Sequence, residues 1–438
     1  MLSKSPVAPQ VFRHCTSGFR RPDKASAYYT DAMRPSFSYP HASCLISRLA
    51  FSSAVVFFSA PAVAAPFTPA TDAEVVERLP GRASDPAVKR VESLRKQLQA
   101  RPDDADLRVD IARRYFEMAM AQGDPRYVGY ASAALAPMAQ TGAKNAGYWM
   151  TRGLIEQFSH QFPAALESLA KSSQLDPASE NPILWRAAIF MVQARYTDAM
   201  AECDKLTAPS EPALKIGCRT YALASSGQLQ QAFSMLDTAV KASPGQAPEF
   251  LLWQYTRLAE MAQRLQQPQV AEAYFTRAIG LGITDQFLLG AYADFLLAQQ
   301  RPLEVIKLLA DWERSDVLLL RLALAGLAAK DSRAADWAAQ LRDRFRAAAQ
   351  RGDRLHEQEA ARFELDIERN LAKALDLASL NYTVQKEPRD AEILLRAALV
   401  AGQPKRAQPA LDWLRESRYE DPHITQLASQ LVAKGGKP

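Results

Sequence analysis

The sequence predicts an all-α fold, a solenoid in which antiparallel helix hairpins stack side by side. Three columns of residues carry that expectation. Gly153, Ala187, Thr220, Ala259 and Ala293 stand 34, 33, 39 and 34 residues apart, and Leu169, Cys203, Leu236, Phe275 and Leu309 keep the same intervals. Ala165, Ala199, Ala232, Ala271 and Val305 march in step with both. Three columns in register mean one helical hairpin repeated, because a single unit cannot bury its apolar face without a neighbour. No run alternates apolar and polar residues long enough for a strand, and no Asn-Gly or Asp-Gly turn occurs.

Along the chain, Asp85-Pro86 offers a capping side chain followed by proline at the first helical position, and Val88, Val91, Leu94 and Leu98 continue an apolar stripe to about Ala100. Arg101-Pro102-Asp103-Asp104 ends that helix and starts another, whose Leu107, Ile111, Ala112, Tyr115 and Met118 fall on one face. Pro125, Pro163, Pro268, Pro302 and Pro404 each stand just ahead of an apolar periodic run, where the missing backbone donor does no harm. Leu175-Asp176-Pro177 and Ala242-Ser243-Pro244 mark hairpin exits, and Gly280-Leu281-Gly282 reads as another helix end. Residues 85–314 therefore form the regular repeats. Residues 315–434 read as divergent helical repeats and a C-terminal cap, with helices from Ala335 to Ala349 and from Glu357 to Ile367 and the register returning at Ala374 and Ala397.

Of 438 residues, 48% are hydrophobic and 23% charged, the balance of an ordinary globular protein. The net charge of +5 sits in residues 1–64, which hold seven Lys or Arg against two acids and leave 46 of each sign elsewhere. A neutral body gives no electrostatic reason to expect nucleic acid or an anionic membrane as partner. Residues 1–64 read as an export leader: Leu49 to Ala60 is an uncharged, mostly apolar stretch of 12, with Arg34 and Arg48 before it and Ala62-Val63-Ala64 after it. Cleavage after Ala64 is expected, with Met33 placed for a leader of usual length and residues 1–32 as an over-extended start. The stretch is too short for a span, which takes roughly 20 apolar residues. Residues 65–84 form a linker or arm, and the expected location is periplasmic or secreted. Cleavage removes Cys15 and Cys44 and leaves Cys203 with Cys218, on neighbouring helices of successive hairpins. A pair in an exported chain points to a disulfide; two buried thiols are the alternative.

Tyr148-Trp149, Gly153, Ala165, Leu169 and Pro177 resemble the aromatic, glycine, alanine, bulky apolar and proline positions of the tetratricopeptide repeat. Ala232, Leu236, Ala239 and Pro244 repeat its second half, and Gly227 to Ala232 looks like its inter-helix turn. The resemblance runs from about Asn145 to Arg314 and is looser outside. It implies a right-handed superhelical solenoid and a protein-binding scaffold, similar to exported repeat proteins of bacteria.

Such a solenoid usually binds on its concave side, lined by the first helix of each hairpin. The repeat frame puts Met150, Leu154, Leu184, Ala188, Met191, Tyr221, Phe287 and Asp294 there. Some members of the superfamily grip a C-terminal carboxylate at these places with Lys, Asn and Arg; here the positions are mainly apolar, which points to a groove for an apolar peptide or helix, or for a part of the same chain. The six tryptophans read as buried packing. His356-Glu357 begins like a zinc-protease helix, but position 360 is alanine, and neither a metal site nor a cofactor is expected. Glu357, Glu359, Glu364 and Asp366 are spaced like a solvated helix face. The reading is an exported, non-enzymatic scaffold for a protein or peptide. The alternatives are a small-ligand or peptide sensor, which an enclosed pocket supports, and an enzyme on a helical solenoid, which needs convergent titratable groups.

Overall fold

The computed structural model describes residues 85–207, 212–243, 245–350, 354 and 357–435. The leader with Cys15 and Cys44, the arm at 65–84, Pro244 and His356 lie outside the described residues. Within them every regular element is helical. After α1 (Pro86–Ala100) come α2 (Ala105–Gln122) and α3 (Arg126–Leu135), then α4 (Ala146–Phe158) with α5 (Phe162–Leu175), α6 (Asn181–Val192) with α7 (Tyr196–Asp204), and α8 (Pro212–Ala224) with α9 (Leu229–Ala242). There follow α10 (Pro248–Arg264) with α11 (Pro268–Gly280), α12 (Gln286–Ala298) with α13 (Pro302–Leu308), and α14 (Asp316–Ala329) with α15 (Ala334–Gln350). Last come α16 (Glu357–Phe363), running into a π-helical turn over Glu364–Glu368, with α17 (Leu371–Tyr382), then α18 (Pro388–Val400), α19 (Gln408–Ser417) and α20 (Pro422–Ala433). Even-numbered helices from α2 to α20 each touch the next even-numbered one, so they form one continuous row, with their odd-numbered partners packed against it.

Local sequence sets where these helices start and turn. Asp104, Asn145 and Asp285 accept hydrogen bonds from the Leu107, Tyr148 and Leu288 amides at 2.8 to 2.9 Å, satisfying donors that a helix start leaves open. Every hairpin turns through one residue with positive φ: Gly123, His160, Ala194, Gly227, Gln266, Gln300, Lys330, Arg369 and Gly402. In seven of them, the next amide reaches back five residues: Gln161 to Glu156, Arg195 to Phe190, Gln228 to Leu223, Gln267 to Ala262, Arg301 to Leu296, Asp331 to Gly326 and Gln403 to Ala398, at 2.8 to 3.2 Å. This is the left-handed helix stop that glycine favours, yet six of the nine positions carry a side chain.

The three columns coincide with the seams. Gly153, Ala187, Thr220, Ala259 and Ala293 are buried, one on each even-numbered helix from α4 to α12. Ala165, Ala199, Ala232, Ala271 and Val305 are fully buried on the odd-numbered partners. A methyl added at Gly153 would lie 2.8 Å from the Leu169 Cγ, and one at Gly326 would lie 2.9 Å from the Trp337 ring. The hairpins are therefore packed too closely there for any larger residue.

Cys203 on α7 and Cys218 on α8 are disulfide-bonded, with a Cα–Cα distance of 5.6 Å. The bond joins one hairpin to the next across a sequence separation of 15. Reducing it, or replacing both cysteines with serine, is expected to lower stability by about 3 kcal/mol in the chain-entropy description. Urea unfolding with and without reductant measures this; coincident midpoints would remove the bond from the stability account.

Contacts between distant hairpins do what a simple stack does not. The Gln286 side-chain amide donates to the Met120 carbonyl at 3.1 Å and accepts from the Ser315 hydroxyl at 2.5 Å, joining α12 and α14 to the end of α2. Further on, the Lys386 amide bonds the Val192 carbonyl at 2.8 Å, and the Trp413 indole bonds the Tyr196 hydroxyl at 2.9 Å. Glu420 accepts from the Leu229 amide at 2.6 Å, and its own carbonyl accepts from Arg264 at 2.9 Å. The last hairpins thus fold back over α6 to α10 and roof the middle of the inner row.

Candidate functional site

Beneath that roof lies a cavity of about 450 Å³. Its wall takes residues from seven members of the inner row: Tyr221 on α8, Arg257, Glu260 and Arg264 on α10, Asp294 on α12, Arg321 on α14, Arg362 on α16, Arg389 and Glu392 on α18, and His423 on α20. Tyr419 and the capping residues Glu387 and Asp421 also line it. Successive hairpins present the same helical face inward, so residues far apart in sequence converge here.

One side of the wall is a ladder of alternating charges. Arg321 bonds Asp294 at 2.7 Å, and Arg362 bonds the same carboxylate at 2.8 Å. Asp366, on the π-helical turn, stands 3.7 Å from Arg362 and 2.5 Å from Arg396. Arg396 approaches Glu392 at 3.8 Å, and Glu392 approaches His423 at 3.5 Å. Burial alone would raise the Asp294 pKa, but the two guanidiniums outweigh it and hold the carboxyl well below the usual range. His423 is shifted up by its bond to Glu392, against a smaller opposing effect of burial.

The other side alternates cations and rings. The Arg257 guanidinium lies over Tyr221 at 4.1 Å and over Phe287 at 4.5 Å, and it bonds Glu260 at 2.6 Å. Arg389 covers Phe287 at 5.0 Å, and Arg264 covers Tyr419 at 3.8 Å. Burial pushes the Tyr221 hydroxyl up to about 12, so it is a neutral hydrogen-bonding group at any ordinary pH.

The eight candidate concave-face residues divide accordingly. Leu154 is packed with Phe158 and Trp185, with Met150 half-buried against that cluster. Leu184 and Ala188 are packed around the disulfide, and Met191 lies against Tyr196 and Ala222. Tyr221 and Asp294 line the cavity, and Phe287 supports it from beneath Arg257 and Arg389. The wall differs from the apolar groove expected of these positions: five arginines, Arg257, Arg264, Arg321, Arg362 and Arg389, face five carboxylates there. The apolar members are consumed by contact between neighbouring inner helices. Sequence reasoning missed the arginines, although Arg321 interrupts the apolar run from Val317 to Leu327 and so signals a buried charge with a partner.

A second cavity, of about 720 Å³, opens between the Gln193 to Asp198 turn and α17 to α19, beside Tyr382 and Trp413. Among the described residues, no three His, Cys, Asp or Glu side chains converge as metal ligands, and no helix is long and apolar enough to cross a membrane.

No family profile matches the chain, and no curated protein matches it in sequence. Among solved structures, the Rap protein complexed with competence and sporulation factor aligns over 79% of this chain and 94% of its own, at 14% identity and a TM-score of 0.44. Cut9-Hcn1, an APC/C hetero-tetramer, aligns over 79% of this chain at 12% identity and a TM-score of 0.37; the match spans only 52% of that chain. PilW, a type IV pilus biogenesis factor, aligns over 54% of this chain and 94% of its own, at 21% identity and a TM-score of 0.31. The described residues of this chain form a solenoid of helix hairpins, with one buried small-residue column along its row of inner helices.

Proposed function

We propose that this chain is an exported, non-enzymatic interaction scaffold that holds a peptide segment of another protein in the roofed cavity. One observation carries the reading. The cavity is built by the inner row of helices, the side on which a solenoid usually binds, and it remains open after the C-terminal hairpins have folded over that row. Its wall is cross-braced by ion pairs and by guanidinium–ring contacts, so little ordering remains to be done when a ligand enters. Export is supported by the leader-like residues 1–64 and by the disulfide, which persists in oxidising compartments. A sensor for a small ligand is the second reading, favoured by the enclosure of the same cavity.

The test is a library of short peptides presented to the purified mature chain, with Ala291→Tyr as a variant that fills the cavity. Ala291 lines the wall and is half-buried. A subset of peptides is expected to bind the parent chain and to lose at least tenfold in affinity, about 1.4 kcal/mol, on the variant. Peptides that bind both proteins equally would move the site elsewhere, and turnover of a substrate by the purified chain would end the scaffold reading. Mass spectrometry of the native N terminus checks export; mature material starting at Met1 would contradict it.

A further inference from the structure

The cavity wall has equal numbers of arginines and carboxylates, but the two are not matched one to one. Asp294 is held by Arg321 and Arg362, Glu392 by Arg396 and His423, and Glu260 by Arg257. The two remaining carboxylates serve helix starts. Asp421 accepts from the His423 and Ile424 amides at 2.9 and 3.1 Å, and Glu387 forms a capping box with Asp390 at the start of α18. Each therefore faces a helix N-terminus, whose partial positive charge of about half a unit already offsets it.

Two cations are left over. Arg264 donates to the carbonyls of Glu420 and Ala224, at 2.9 and 2.6 Å, and bonds no carboxylate among the described residues. Arg389 has no hydrogen-bond or ion-pair partner among the described residues; Glu387 and Glu260 act on it only through space. Both are half-buried, both line the cavity, and each rests on a ring, Tyr419 or Phe287. An arginine laid on an aromatic face keeps its in-plane N–H donors clear of the ring. Those of Arg389 meet no acceptor among the described residues, while Arg264 spends its Nε and one Nη on the two carbonyls and keeps the other Nη. A carboxylate is the group whose geometry matches an open guanidinium fork.

Resting on the peptide-scaffold reading, the geometry points to a carboxylate receptor: the bound segment presents one carboxylate, from an Asp or Glu side chain or from a chain end, to Arg389 and Arg264. The receptor is built across the superhelix, from α10 and α18, and it exists only because the C-terminal hairpins fold back. Without that fold, Arg389 would face open solvent.

The probes are peptides retained by the library, resynthesised in three forms: with their acids intact and the C terminus amidated, with every Asp and Glu exchanged for Asn and Gln, and with the exchanged chain carrying a free C terminus. Titration by fluorescence anisotropy reads the affinity. Acid-to-amide exchange is expected to weaken binding about tenfold or more, as loss of a charge-assisted bidentate pair does. If the free C terminus restores binding, the carboxylate comes from a chain end; if not, it comes from a side chain. Arg389→Gln and Arg264→Gln should each weaken the acidic form and leave the amide form unchanged, with Arg389→Lys recovering part of the loss. Peptides excluded by Ala291→Tyr but indifferent, within about twofold, to the acid-to-amide exchange would overturn the receptor and leave the scaffold standing. Failure of every peptide to bind would remove both. The exchange on the peptide needs no variant protein, so misfolding of an arginine variant does not blunt the test.

Discussion

Replacing Asp294 with alanine is expected to destabilise the chain by about 3 kcal/mol, at the low end of the cost of breaking a buried ion pair. The reason lies with its partners. Arg321 is 3% exposed and Arg362 is 19% exposed, and the substitution leaves both guanidiniums inside the protein without their shared anion. Asp294 itself is 34% exposed, so solvent screens part of the interaction and the upper end of the range is not reached. The same group gives a pH dependence whose sign is fixed. Its folded pKa is depressed, so its stabilisation is complete well above the unfolded value of about 3.9 and is lost as pH falls through that value toward the folded one. The gap in urea midpoint between the parent and Asp294→Ala should narrow from neutral pH to about pH 3 without closing, because the folded carboxyl, held well below its usual range, is only beginning to protonate there; a constant gap would show that the ion pairs are not its source.

How far the sequence foretells this arrangement depends on the range of the contacts. The hairpin seams were legible because each is made within one repeat or between neighbours, and the same small residue returns at Gly153, Ala187, Ala259 and Ala293. The turns were legible at Gly227 but not at His160, Gln266 or Gln300, which adopt the same left-handed stop without glycine. An L residue pays about 1 kcal/mol in that conformation, and the packed hairpin on either side compels it. Glu357, Glu359 and Glu364 read as a solvated face, yet all three are buried. Glu364 bonds Lys373 at 2.6 Å, and the π-helical turn that follows α16 shifts Asp366 into the charge ladder. Helical periodicity assumes a regular turn, and here the turn is not regular. Tyr221, Phe287 and Asp294 were legible as inner-row positions, but their partners Arg257, Arg389 and Arg362 were not. Those pairings depend on a fold-back set by single long-range contacts, which no repeat period encodes.

Trp413→Ala is expected to cost about 3 to 5 kcal/mol, the range for removing a buried tryptophan, and to do more than lower a midpoint. The indole is 6% exposed, packs on Tyr419 with centroids 5.1 Å apart, and donates to the Tyr196 hydroxyl 217 residues away. In a simple solenoid each hairpin feels only its neighbours, and stability is nearly a sum of local terms. Cross-links such as Trp413 to Tyr196 and Glu420 to Leu229 couple the last hairpins to the middle ones, and the parent chain is expected to unfold as one unit for that reason. The variant should therefore unfold in two steps, with α17 to α20 released at lower urea and the disulfide-braced hairpins following. Limited proteolysis should cut the variant first between Tyr382 and Pro388, where the chain enters the fold-back. Trp312→Ala is the control, because Trp312 is half-buried at the end of one hairpin and has no partner across the superhelix among the described residues. A single transition in both variants would mean that the fold-back does not hold the molecule together. The inner cavity would then owe its roof to α18 and α20 alone, and opening it would require the loss of the Lys386 to Val192 bond and of the bonds from Leu229 and Arg264 to Glu420.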